Sequence, residues 1–208
     1  MRKKYQKLDI LFNNAGANFF TRQLTEDGIE MTFAVNYLAP FLMTRLLIPM
    51  LKQSSSGKII TTVGEYHRKA NIYFDDINLE KDYSAMKAAG QAILAKIIFT
   101  YELSRRLGDD RIRINCFHPG PVKTNLQKKM PLFWRILTGV MRPFFLSPEK
   151  GAAPAVYLAI SEEAHNINGK YFKRMKAVPS SPLSYDRELG NKLWLLSEQL
   201  TGLKEPYS

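Results

Sequence analysis

The feature that most limits what this chain can become is the run 83–107, YSAMKAAGQAILAKIIFTYELSRRL. Met86, Ile93, Ile97 and Tyr101 recur close to the helical period, with further apolar residues beside them. That spacing predicts one long helix with a buried face. Arg105 and Arg106 fall in its last turn, where a cation suits the negative end of the helix dipole. Gly108 follows, a common helix stop. Residues 113–118 then read as a short strand running into His118-Pro119-Gly120. A strand, a long helix, a strand and a Pro-Gly turn make the second half of an α/β dinucleotide-binding arrangement.

The rest of the chain fits that frame. Residues 7–14 form a short apolar run, Leu8, Ile10, Leu11 and Phe12, as in a strand buried in a parallel sheet, and end at Asn13-Asn14-Ala15-Gly16. A helix is expected over about 29–51. Inside it Pro40 lies four residues after Asn36. Proline has no N–H, so the Asn36 carbonyl loses its helical partner, which either frees it for water or ligand or merely kinks the helix. Residues 54–57 are a polar turn and 58–63 a strand rich in Ile and Thr. Ser147-Pro148-Glu149 opens a helix to about Ile160, with proline well placed in the first turn. Residues 169–178 read as a last strand, 179–182 as a loop, and 183–200 as including a terminal helix. No repeat, low-complexity tract or linker divides the chain, so residues 1–208 form a single domain.

With these phrases in place, the chain resembles the short-chain dehydrogenases/reductases, most closely the retinol-dehydrogenase-like branch. That branch carries a phrase near A-Y-x-x-S-K-L-A-N-I-L-F-T-x-E-L-A-R-R-L, matched here without a gap from Ala88 through Leu103 to the His118-Pro119-Gly120 turn. Leu8-Asp9-Ile10-Leu11-Phe12-Asn13-Asn14-Ala15-Gly16, Phe74-Asp75-Asp76-Ile77-Asn78 and Leu193-Trp194-Leu195-Leu196-Ser197-Glu198 match it as well. The resemblance implies an α/β fold: a partial Rossmann-like, doubly wound parallel sheet lacking the first βαβ cofactor-binding strands. The family's Gly-rich turn, of the type Thr-Gly-x-x-x-Gly-x-Gly, holds a pyrophosphate at a helix N-terminus. None of this chain's glycines forms it.

The resemblance also says which residues should do chemistry. It implies NADP or NAD as cofactor, contacted by Asn14, Ala15, Gly16, Pro119, Gly120, Val122 and Thr124. Hydride transfer to a carbonyl needs a proton for the developing alkoxide. The family supplies it from a tyrosine, whose pKa is lowered by a lysine one turn on, while a serine bonds the carbonyl. Here Ala89 stands at the tyrosine position, Ile93 at the lysine position and Gly64 at the serine position, a register fixed by His67. None of the three side chains can donate, accept or carry charge. Asn36, which relays protons in the family, remains. Tyr83 and Lys87 form a decoy Tyr-x-x-x-Lys pattern six residues too early. In a helix that is ~9 Å along the axis and ~240° around it, facing away from the cleft.

Composition narrows the partners. The net charge of +11 suits nucleic acid, anionic lipid or a phosphorylated cofactor. The basic residues are scattered and not interleaved with aromatics, which argues against nucleic acid. Cys116 is the single cysteine, which fits a reducing compartment and a cytoplasmic location. No metal-ligand pattern is present. Charged residues break the longest apolar stretches, so none reads as a membrane span. Residues 125–146 are aromatic and apolar with Lys128, Lys129, Arg135 and Arg142 among them; they suit either a membrane surface or the chain's own core. The expected first strand would carry a bare edge, open to a homodimer or a partner chain. The resulting expectation is a degenerate family member, catalytically inactive, that binds a lipid-like ligand or a partner. The alternative is an NAD(P)-dependent oxidoreductase of the retinol-dehydrogenase type, of which these residues are a piece.

Overall fold

The computed structural model describes residues 5–108, 111–123, 143 and 145–203. Thr124 and nearly all of 125–146 lie outside the described residues. The centre is a five-stranded sheet in the order β1 (Ile10–Asn13), β2 (Gly57–Thr62), β3 (Ile112–His118), β4 (Lys170–Lys173), β5 (Lys176–Ala177). The first four strands are parallel and β5 is antiparallel to β4. Around it pack α1 (Met31–Leu51), α2 (Ala85–Leu107), α3 (Pro148–Ile160) and α4 (Arg187–Thr201). This is the partial Rossmann-like α/β sheet that the sequence implies.

Strand alternation sorts the apolar residues between two faces. On one face Leu11, Ile59, Ile112 and Ile114 join α1, α2 and Trp194 in the main core. On the other, Ile60, Phe117 and Phe172 pack against Ala155 and Leu158 of α3. Phe12 stacks on Phe117 with ring centroids 6.0 Å apart, yet Phe12 and Ile10 stay 42% and 38% exposed. α3 covers the middle of that face and not its β1 end.

Local signals set most boundaries. Ser84 caps α2 by accepting the Lys87 N–H, and Gly108 ends it at φ 53° in the left-handed region, which costs glycine no Cβ clash. Ser147 caps α3, with Pro148 at its first position. In α1 the buried Glu30 carboxylate accepts the N–H groups of Thr32 and Phe33. The ladder of α1 slips to a π-turn over Ala34–Leu38, shown by the Ala39 N–H reaching the Ala34 carbonyl. Pro40 sits at the end of this stretch, and a missing N–H is one of the ordinary causes of such a slip.

Some expectations need correction. The first strand is Ile10–Asn13 and not 7–14, because the Leu8 N–H goes to the Met50 carbonyl before the ladder with β2 begins. The expected strand 169–178 is two strands joined at Arg174 and Met175, which both hold positive φ, 50° and 61°. Tyr83 precedes α2, so it shares no helix face with Lys87. Finally, Met31–Leu51 is long and apolar enough to cross a membrane by length and composition, although half of its most apolar stretch is buried inside the fold. Its Arg45 is buried against Glu198 at 2.8 Å and lies over the Trp194 ring, which is the behaviour of a core helix.

Candidate functional site

In an open α/β sheet, ligands bind beyond the carboxyl ends of the strands. There the protein has a cavity of about 660 Å³. The turn after β1 (Asn14–Asn18), the residues after β2 (Val63, Gly64), Phe117 and Pro119 at the end of β3, and Ala89, Ile93 and Lys96 of α2 form its walls, with Val122, Lys123 and the start of α3 closing one side. The structure thus gathers Asn14, Ala15, Gly16, Asn36, Gly64, Ala89, Ile93, Pro119 and Val122 around one space. Thr124 lies outside the described residues.

The turn after β1 is clamped from α1. The Asn36 amide donates to the Ala17 carbonyl at 2.7 Å, and its side-chain oxygen accepts the Ala17 N–H at 2.8 Å. A Cβ on Gly16 would come within 3.2 Å of that oxygen, so glycine lets the turn lie against the clamp. The Thr62 hydroxyl donates to the Asn14 side chain at 3.0 Å, tying the ends of β1 and β2 together. Below, the buried Asn13 amide donates to Thr44. Sequence reasoning assigned Asn36 a role through its backbone carbonyl; the structure gives its side chain a separate role in shaping the cavity wall. Gly120 has φ 84°, and a Cβ there would meet Leu146 at 2.8 Å, so the turn after β3 also depends on glycine.

The inner wall is apolar at the three places where the resemblance puts serine, tyrosine and lysine. A Cβ built on Gly64 would stand 2.9 Å from the Ile93 δ-carbon. The Ile93 side chain therefore fills the space into which a serine at 64 would project. Ala89 lies one turn away on the same helix face and offers only a methyl group.

One ionisable group on this wall went unremarked in the sequence. Lys96 follows Ile93 by three positions and Ala89 by seven, so it falls on the same face of α2. It is 8% exposed, and its ammonium donates to the Thr62 carbonyl at 2.7 Å. Burial pushes its pKa down to about 8. The signal that could have found it is a lone cation inside the apolar run 93–99 at helical spacing from Ala89.

The remaining candidates lie elsewhere. The Tyr83 hydroxyl donates to the Phe19 carbonyl at 2.6 Å, and Lys87 pairs with Asp82 at 3.2 Å and sits over the Tyr73 ring. Neither lines the cavity. His67 is fully buried, its Nδ1 accepting the Ser181 N–H. Burial, aided by the Arg68 charge, lowers its pKa to about 4 and keeps it neutral. Burial pushes the Glu65 carboxyl up, but hydrogen bonds from Arg68, Lys173 and Tyr171 outweigh this and hold it at about 2. No group of three His, Cys, Asp or Glu side chains among the described residues is placed to hold a metal.

The chain is similar to known proteins in both sequence and fold. A family model described as short chain dehydrogenase matches residues 1–132. The chain is 38% identical over 206 residues to human "Retinol dehydrogenase 14", covering 98% of this chain and 61% of that protein. It is 39% identical over 207 residues to mouse "Retinol dehydrogenase 13", covering 97% and 62%. It thus spans about three fifths of the length of these relatives. Among solved structures, an uncharacterized protein from Mycobacterium paratuberculosis superposes with a TM-score of 0.76 at 29% identity, covering 98% of this chain and 70% of that one. A short chain dehydrogenase from Burkholderia cenocepacia, solved in complex with NADP, gives 0.59 at 24% identity over 80% of this chain and 63% of its own. On the family match and the matching sheet, this chain belongs to the short-chain dehydrogenase/reductase family, in its retinol-dehydrogenase-like branch.

Proposed function

We propose that this chain is a family member without hydride-transfer activity of its own, whose cavity holds an apolar, lipid-like ligand. The observation that carries this is the Ile93 side chain lying against Gly64, with Ala89 beside them. The acid, its activating cation and the carbonyl ligand are replaced together by groups that cannot move a proton. Residues that act as a unit in catalysis are not lost additively: losing one already costs about as much as losing all three. A mostly apolar cavity of this size lies in the range of small-molecule pockets, about 300–1,000 Å³.

A second reading, hydride transfer between a nicotinamide and an alcohol or carbonyl, is favoured by one observation. Asn14, Ala15, Gly16, Pro119 and Val122 still line the cavity and would hold the nicotinamide end of NADP or NAD. The glycine-rich phosphate turn is not among these 208 residues, so the fit extends to that end alone. A bound nicotinamide would supply the hydride. The chain would still have to supply the proton, and the ionisable side chains among the described lining residues are Lys96 and Lys123.

The assay that separates the readings is NADPH- or NADH-dependent reduction of retinal and medium-chain aldehydes by the purified chain. The first reading expects no turnover above the blank. It also expects dodecanol to bind and Ala89→Trp, which puts a large ring on the inner wall, to weaken that binding. Turnover above the blank that is lost in Lys96→Met would overturn it in favour of the second. The single, fully buried Cys116 supports a cytoplasmic, reducing location. The basic aromatic composition of 125–146 supports contact with an anionic membrane surface, so the chain should sediment with anionic vesicles, and less so at high salt.

A further inference from the structure

Among the described lining residues, Lys96 is a buried cation that loss of hydride chemistry leaves unexplained. A buried ammonium is costly unless it is paired and fully hydrogen-bonded. Lys96 has a neutral acceptor, the Thr62 carbonyl, and its ammonium carries three donors. No ion pair joins it to a carboxylate among the described residues. The cavity it lines contains a second cation, Lys123, and neither Asp nor Glu among its described lining residues. Residues 124–146, which follow Lys123 in the chain, contain no Asp or Glu either. The rest of the inner wall is Val63, Ile93, Phe117 and the Ala89 methyl group.

Lys123 is exposed at the side of the cavity while Lys96 is buried, so a ligand that satisfies the inner wall needs an apolar body and a single negative charge at one end. We propose that Lys96 anchors the carboxylate of an aliphatic acid whose chain occupies the cavity, a fatty-acid-like ligand in the place where the family's relatives would meet a carbonyl. The inference rests on the reading of the cavity as a ligand site and names its ligand class. A carboxylate fits better than a bulkier polyanion because the wall supplies one deep ammonium as a point charge, with no guanidinium fork among its described residues. The Thr62 carbonyl keeps the ammonium pointed while leaving donors for the ligand. The lowered pKa of Lys96 agrees with a charge that lacks a counter-ion until such a ligand arrives.

The test is calorimetric titration of the whole chain at neutral pH with two probes of equal length, dodecanoate and dodecanol. The proposal expects dodecanoate to bind about 10-fold or more tighter than dodecanol, the scale of one charge-assisted hydrogen-bonded pair. Lys96→Met should remove that preference while leaving dodecanol binding as it was, Lys96→Arg should keep most of it, and Lys123→Met should leave it intact. The Met variant removes an uncompensated charge, so its melt should be no lower than that of the parent, which separates loss of an anchor from loss of fold. Equal affinity for the two probes, or a preference that survives Lys96→Met, overturns the anchor and leaves the ligand cavity standing. Failure of both probes to bind overturns the cavity reading along with it.

Discussion

The Ile93 δ-carbon lies 2.9 Å from where a Cβ on Gly64 would stand, so α2 and the segment after β2 meet through a glycine. Real Cβ atoms do not approach that closely, and any side chain at 64 must displace Ile93. Because the clashing atom is the tip of a flexible side chain, the displacement costs about 1 kcal/mol, that of an off-rotamer shift. Alanine fits the extended backbone of Gly64 (φ −120°) and returns about 0.4–1 kcal/mol through the unfolded chain, so Gly64→Ala should be near neutral in the parent and clearly stabilising in an Ile93→Ala background. The coupling in this double-mutant cycle, read by denaturant melts, should exceed the scatter of about 0.3–0.5 kcal/mol expected of independent sites. A strictly additive cycle would show that the two residues are not in contact.

Lys96 should make stability depend on pH in a specific window. Its folded pKa, about 8, lies below its ordinary value of 10.5 because burial disfavours the ammonium. Between those values the unfolded chain binds more protons than the folded one, so stability contributed by this group is present above pH 10.5 and lost as pH falls through 8. The other titratable side chain acting on it, the Cys116 thiol of β3, is pushed up to about 12 by burial and stays neutral through this range. Lys96→Met should raise stability at neutral pH by on the order of 2 kcal/mol, and the gain should shrink as pH rises from 8 towards 10.5. A gain that is flat with pH would show that Lys96 is not titrating as argued.

What the sequence made legible and what it hid divide along one physical line. The C-terminus of α2 and the start of α3 were readable because Gly108, Ser147 and Pro148 act on their own backbone, whereas the cap at Ser84, which leaves Tyr83 outside α2, was not read. The sequence register alone names Gly64, Ala89 and Ile93 as standing at the family's serine, tyrosine and lysine positions; the structure adds that all three line one cavity. The contact of Ile93 with Gly64, the Asn36 clamp on Ala17 and the reach of Lys96 to Thr62 were not readable, because each joins segments far apart in the chain. Lys96 is hidden for a further reason: a helical period shows in the spacing of apolar residues, and a lysine on the apolar face interrupts that signal without replacing it. The β4–β5 turn was hidden because its two residues carry none of the usual hairpin chemistry.

That turn gives a direct test. Arg174 and Met175 both hold positive φ, as the two central residues of a mirror-type hairpin turn must, and Asn-Gly is the pair that accepts this geometry. Left-handed conformation costs an ordinary residue about 1–2 kcal/mol, part of which glycine returns through its greater unfolded-state entropy. Replacing the pair by Asn-Gly should raise stability by about 1 kcal/mol, seen as a higher denaturant midpoint at unchanged slope. A lower midpoint would mean that this pair does not form a mirror-type turn in solution.

The most exposed part of the sheet is β1. It pairs with β2 from Ile10↔Lys58 to Asn13↔Thr61, and no strand among the described residues pairs with its other side. Leu11 is buried in the main core, while Ile10 and Phe12 face the side that α3 leaves open. A strand with free N–H and C=O groups beside exposed apolar side chains is a template for another chain. The 208-residue chain should therefore self-associate, with a sedimentation coefficient that rises with concentration. Ile10→Lys should suppress this, since a charge on an edge strand opposes pairing, and should leave stability within about 0.5 kcal/mol because the side chain is already exposed. Phe12 is the poorer choice for this test, because its stacking on Phe117 would confound edge and packing effects. A monodisperse monomer at high micromolar concentration, with slow amide exchange at Ile10 to Phe12, would show that this edge is covered in solution.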